Sequence, residues 1–219
     1  MSTMTRLGLG PRGQLEVRPA RGESASTLVL PPVCPSGGLP LMEALQRRRS
    51  QREFATSALP EQVLGELLWA ACGVNRPALD GRTAPRAMTY QEIDVYVALP
   101  AGLYRYEPAG HVLCLEVPRD VRDMTGNQDF AADAALNLVY VADDSRVQLV
   151  QGEQREDYAY TTAGAMAQNV YLYSASQGLA TVLRAWIDRV ALRAAMELGV
   201  DQQVLLAQTV GYPKTNSVA

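Results

Sequence analysis

An α+β fold, with a central sheet packed by helices, is what the sequence predicts. Two windows carry apolar residues at helical spacing, Pro60 to Cys72 and Asp157 to Gln177. Several shorter runs either alternate or stay apolar throughout, as strands do. Helices and strands then mix without the strict alternation of a parallel βαβ protein. The 219 residues, 47% of them hydrophobic, suit one sizeable core or one domain with an extension.

Residues 1–39 are rich in Gly, Pro, Arg and Ser and lack periodicity, so they read as a flexible or extended N-terminal arm. Gly8-Leu9-Gly10-Pro11-Arg12-Gly13 within it matches the dinucleotide pattern Gly-x-Gly-x-x-Gly. No strand precedes it, Pro11 interrupts it, and no acid follows about twenty residues on, so the match is rejected. Pro40 opens a first helix to about Arg49, carrying Leu41, Met42 and Leu45. In the second helix, Pro60 to Cys72, Val63, Leu64, Leu67, Leu68 and Ala71 share a face, and Gly73 stops it. Ile93, Val95, Val97 and Leu99 alternate with Asp94, Tyr96 and Ala98, which predicts a half-buried strand. Leu103 to Glu107 and Val112 to Glu116 flank Pro108-Ala109-Gly110-His111 as a hairpin. Leu136 to Ala142 is mostly apolar, as in a strand covered on both faces. The polar stretch Asp143 to Glu156 reads as a loop. The long helix Asp157 to Gln177 turns Ala163, Met166, Ala167, Val170 and Tyr171 inward and ends before Gly178. Leu179 to Leu183 is a strand, Asp188 caps a helix to about Leu198, and Val204 to Val210 is the last strand.

Composition narrows the chemistry. A net charge of −3 argues against a nucleic-acid binder that relies on general basicity. Three scattered cysteines without a Cys-x-x-Cys indicate neither a disulfide framework nor zinc. No stretch resembles a signal peptide or a membrane span, so a cytoplasmic protein without membrane partner is expected. The single histidine, His111, lies in a turn, which removes most histidine-based nucleophile schemes and histidine-rich metal sites. An enzyme so poor in histidine borrows its chemistry from a cofactor.

Arg47, Arg48, Arg49 and Arg52 crowd the end of the first helix, with Ser50 among them. A helix C-terminus favours cations, but four guanidinium groups exceed what a cap needs, and their planar forks match phosphate and carboxylate oxygens. The run Arg48-Arg49-Ser50-Gln51-Arg52-Glu53-Phe54 resembles the opening motif of the nitroreductase family of flavin enzymes. Three further segments resemble that family in order: Arg82 to Met88, Gly164 to Ala180, and Gln208 to Lys214. The resemblance spans residues 38–214 and is nearest the short branch with dehydrogenase-like and azoline-oxidase-like members.

The resemblance implies a nitroreductase-like FMN-binding domain over residues 40–214 and a short C-terminal tail at 215–219. Its sheet would be mostly antiparallel, in an intertwined homodimer with FMN at the interface. Arg48 and Ser50 match positions holding the phosphate and ribityl chain, and Arg49 a neighbouring contact; Lys214 completes the phosphate site. Arg52 matches the basic residue near flavin N1 and O2; the alternative is a surface ion pair with Glu53 or Glu61. Pro85, Arg86, Ala87, Met88 and Thr89 match the loop that a partner subunit lays along the ring. Asn127 and Gln128 match an amide-bearing position that hydrogen-bonds the flavin ring or ribityl, the alternative for Asn127 being a helix cap. Leu183, Arg184 and Ala185 match the segment whose backbone faces flavin N5. The family commonly has Ser at Arg86, Asn near Thr89 and Gly near Ala185. In Arg86 this chain places a cation expected to reach an anion in the site or to point into solvent. Trp186 and Tyr90 are candidate walls over the substrate. The implied activity is ping-pong hydride transfer between NAD(P)H and a small acceptor such as a nitroaromatic or quinone. Open beside it stand a flavin oxidase acting on peptide-derived rings and a flavin-free binding or regulatory subunit.

Overall fold

The computed structural model describes residues 27–79, 81–86, 91–147, 150 and 152–214. The Gly8–Gly13 motif, Ala87, Met88, Thr89, Tyr90 and the tail 215–219 lie outside the described residues. The strands are β1 (Thr27–Val29), β2 (Val74–Arg76), β3 (Gly81–Arg82), β4 (Ile93–Leu99), β5 (Gly102–Glu107), β6 (Val112–Val117), β7 (Leu136–Asp143), β8 (Ala180–Arg184) and β9 (Gln202–Gly211). The helices are α1 (Leu41–Arg47), α2 (Glu61–Cys72), α3 (Phe130–Asp133), α4 (Glu153–Gln177) and α5 (Arg189–Ala195).

Seven strands form one sheet in the order β1-β6-β5-β4-β7-β9-β8, and β2 pairs with β3 beside it. Every recorded pairing in the large sheet is antiparallel. The α+β class and the central sheet are therefore as the sequence predicts.

One face of the sheet packs on α2 and α4. Leu64, Leu67, Leu68 and Ala71 meet Ala163, Met166, Ala167 and Val170 there, over Val95, Leu138 and Tyr140. The helical spacing puts those residues on single stripes, and burying each large apolar side chain stabilises by roughly 1.5–3 kcal/mol. The other face is also covered. Tyr96, Ala98, Val139 and Val141 pack against Ile187, Leu192 and Met196 around α5. Consequently β4 is buried on both faces rather than half-buried, and Asp94 inside it is held by Arg146.

Two other boundaries differ from the sequence reading. α4 begins at Glu153, because Glu153 and Glu156 suit the positive end of a helix dipole although they read as loop. Within the predicted arm, Thr27–Val29 pairs with β6 as an edge strand. His111 secures it. Its Nε2 donates to Pro31 O at 3.1 Å, its Nδ1 is 2.8 Å from Tyr106 Oη, and Leu30 N donates to His111 O. Because a carbonyl only accepts, Nε2 carries a proton, and in the neutral ring Nδ1 is then the acceptor for Tyr106. Burial lowers the His111 pKa further, against the bond to Pro31.

Candidate functional site

The arginine run leaves α1 as an extended segment laid beside β8. Arg48 caps the helix with φ −55° and ψ 123°, and Gln51 N donates to Thr181 O at 3.0 Å. Tyr171 on α4 is the hub. Its hydroxyl accepts from Leu183 N at 2.9 Å and lies 2.8 Å from Ser50 Oγ, while the Arg48 guanidinium lies 5.4 Å from its ring centroid. The chain's far end arrives at the same place. Phe54 bridges to Pro213, Ala55 N donates to Tyr212 O, and Lys214 N donates to Glu53 O at 3.1 Å. Arg47 pairs with Glu43 one turn back on α1. Among the described residues, Arg48, Arg49, Arg52 and Lys214 form no ion pair, and Arg52 joins neither Glu53 nor Glu61. Arg48, Arg49 and Arg52 thus flank Ser50 along the chain, Lys214 meets the same segment through its backbone, and among the described residues none of the four is paired with a carboxylate. Such a face suits an anion with several oxygens.

Past Leu183, Arg184 turns inward while Ala185 and Trp186 are exposed. The Arg184 side chain is 6% exposed. Its Nη1 donates to Thr125 O at 3.0 Å and to Gln128 Oε1 at 3.2 Å. Its Nη2 donates to Thr125 Oγ1 at 3.1 Å and to Asn137 Oδ1 at 2.9 Å. The Phe130 ring centroid lies 5.7 Å away. These acceptors are all neutral, and burial brings the Arg184 pKa down to about 10. The resemblance assigned this residue only a backbone role. A charged residue closing an apolar strand, with Asn137 inside another, was the available signal. Asn127 is exposed, and α3 has no side-chain cap, so Asn127 does not cap it.

Pro85 and Arg86 lie elsewhere. Arg86 lines a cavity of about 60 Å³ with Glu92, Asp94, Arg146, Thr162 and Met166. Glu92 is 3% exposed, and its Oε1 accepts from Thr162 Oγ1 at 2.9 Å. Burial raises the Glu92 pKa, while hydrogen bonds and then the charges of Arg86 and Arg146 pull it down. Among the described residues, Glu92 is an internal carboxylate within electrostatic reach of Arg86. Thr162 and Tyr171 stand nine residues apart on α4, about 14 Å along its axis and on opposite sides of it. The arginine face and the Pro85–Arg86 loop are thus two separate regions of one chain.

A family model described as "Nitroreductase family" matches residues 45–212. A Methanocaldococcus jannaschii protein named as a nitroreductase is 33% identical over 152 residues, 65% of this chain and 76% of that protein. A crystal structure from Ralstonia eutropha, titled as a nitroreductase, is 47% identical with TM-score 0.85, covering 95% of this chain and 97% of that one. The Vibrio harveyi NADPH:FMN oxidoreductase complexed with NAD+ shares the fold at 20% identity and TM-score 0.61, covering 80% of this chain and 70% of that one.

Proposed function

Because this chain belongs to the nitroreductase family, an oxidoreductase family, we propose that it is an FMN-dependent oxidoreductase. In this reading it works by ping-pong hydride transfer between NAD(P)H and a small organic acceptor such as a nitroaromatic or quinone. One observation carries the cofactor: Arg48, Arg49 and Arg52 flank Ser50, Lys214 meets the same segment through its backbone, and none of the four forms an ion pair among the described residues. A dianionic phosphate needs several cationic donors and a hydroxyl, and this face offers both.

Bound FMN would supply the two-electron chemistry that the side chains lack. Arg48, Arg49, Ser50 and Lys214 would hold its phosphate and ribityl chain. Tyr171 fixes Ser50 and the Leu183 amide relative to each other, so the phosphate subsite and the end of β8 keep one geometry. Arg52 would stabilise negative charge on the reduced pyrimidine edge and so favour reduction. The exposed backbone at Ala185 leaves room for the ring. Pro85, Arg86, Ala87 and Met88 would reach it from a second subunit, since Arg86 is remote from Arg48 within one chain. Leu41, Met42 and Leu45 on α1 are 63%, 76% and 43% exposed, an apolar face beside the cations that a second copy would cover.

The purified protein is expected to be yellow, to bleach with NADH or NADPH, and to recover on adding a quinone. The Arg48→Ala/Ser50→Ala variant is expected to lose its flavin. If that variant keeps FMN at wild-type affinity, the phosphate assignment is wrong.

A further inference from the structure

A buried cation normally faces a carboxylate, since leaving it uncompensated costs several kcal/mol. Arg184 is 6% exposed and donates only to neutral oxygens, those of Thr125, Gln128 and Asn137. The socket is shaped for it. At Gly126, an added Cβ would lie 1.7 Å from Arg184 Nη1 and 2.8 Å from Gln128 Oε1, closer than real Cβ atoms come. Glycine at 126 therefore answers the guanidinium, since the backbone there is extended and any residue adopts it.

We propose that Arg184 is a positioning residue: its guanidinium locks the Thr125–Gln128 loop to the end of β8 and fixes the Gln128 amide so that its NH2 faces the site as a donor. The direction follows from chemistry. Arginine only donates, so the atom 3.2 Å from Nη1 must be the Gln128 carbonyl oxygen. The amide nitrogen is then turned away from the socket. Gln128 is half-buried, and its Nε2 makes no hydrogen bond to protein among the described residues. Asn137 is held in turn, donating to Ala131 O at 2.7 Å and accepting from Thr209 Oγ1 at 2.6 Å, so β7 and β9 brace the socket. The partner of the free donor is a hydrogen-bond acceptor on the cofactor, which rests on the FMN reading above. The Arg184 side chain acts through Gln128.

Gln128→Glu tests this without dismantling the socket. The new carboxylate still accepts from Arg184 and supplies the missing countercharge, but it removes the donor. The apo variant is expected to melt at or above the wild-type temperature, while its FMN dissociation constant, read by quenching of flavin fluorescence, rises about tenfold or more. Gly126→Ala is expected to weaken FMN binding as well, by displacing the guanidinium. Combined with Arg184→Lys, it should add little to that single change, since both break one lock. FMN binding by Gln128→Glu within twofold of wild type overturns the donor assignment. A fall in its apo melting temperature overturns the Arg184–Gln128 contact. A wild-type chain that takes up no FMN overturns the cofactor reading and the proposed ligand with it, while the melting comparison still reports on the socket.

Discussion

Arg48 and Arg184 stand at the two sides of one strand end and are used in opposite ways. Arg48 and its neighbours Arg49 and Arg52 keep their guanidinium groups at or near the surface, with no carboxylate bound. Arg184 is buried and spends four hydrogen bonds on its own chain. Only the Tyr171 hydroxyl and two residues of backbone separate the regions. The difference teaches which charges are available to a ligand. A cation bonded to protein builds the site, and a cation left open can hold something else.

The comparison breaks first, and most heavily, at Arg184. Arg184→Met takes the guanidinium from four acceptor atoms, of which Asn137 Oδ1 keeps Thr209 as donor, and is expected to cost about 3 kcal/mol, read from urea unfolding of the apo protein. A loss below about 1 kcal/mol would mean that water satisfies the socket. Tyr171→Phe sits between the regions. Losing the hydroxyl that joins Ser50 to Leu183 is expected to cost about 1 kcal/mol and to weaken FMN binding too, because both halves of the site hang on it. Arg49→Ala is expected to change stability by less than about 0.5 kcal/mol while weakening FMN binding, which is the signature of a cation reserved for a ligand. A stability loss as large as that of Tyr171→Phe would instead place Arg49 among the structural arginines.

A control lies far from both regions, at His111. Its folded pKa is lowered, so the unfolded chain binds the proton more readily and stability rises with pH. The contribution is complete above the ordinary imidazole value of about 6.5 and is lost progressively as pH falls below it. His111→Gln should flatten the stability profile in that window. An unchanged slope would remove His111 from the tie between β1 and the hairpin.

Much of this fold was legible because periodicity reports burial. The stripes of α2 and α4 repeat at helical spacing, and the inward residues named from them are buried except Val63, which is half-buried. What escaped notice did so for physical reasons. Alternation in β4 reads as one wet face, but Tyr96 and Ala98 are apolar enough to be buried under α5, and Asp94 is carried inside by Arg146. β1 is only three residues in a Gly- and Pro-rich stretch, and its pairing with β6 is long-range. The arginine cluster was legible as an anion-binding candidate because charge density survives in one dimension. The Arg184 socket was not, since its acceptors come from a loop and another strand, and nothing in a single arginine says which way it points. Glu92 is the same case: a buried acid above Thr162 looks like any surface glutamate in sequence.

The most direct test of the central claim compares FMN with riboflavin, which lacks the phosphate, on wild type and on Arg48→Ala/Ser50→Ala. Equilibrium titration should show wild type favouring FMN over riboflavin by about 100-fold, as charge-assisted hydrogen bonds to a phosphate warrant. The variant should bind both weakly and nearly alike. If the variant keeps the full preference for FMN, the open cations at 48–52 do not hold the phosphate, and the contrast between the two sets of arginines loses its functional meaning.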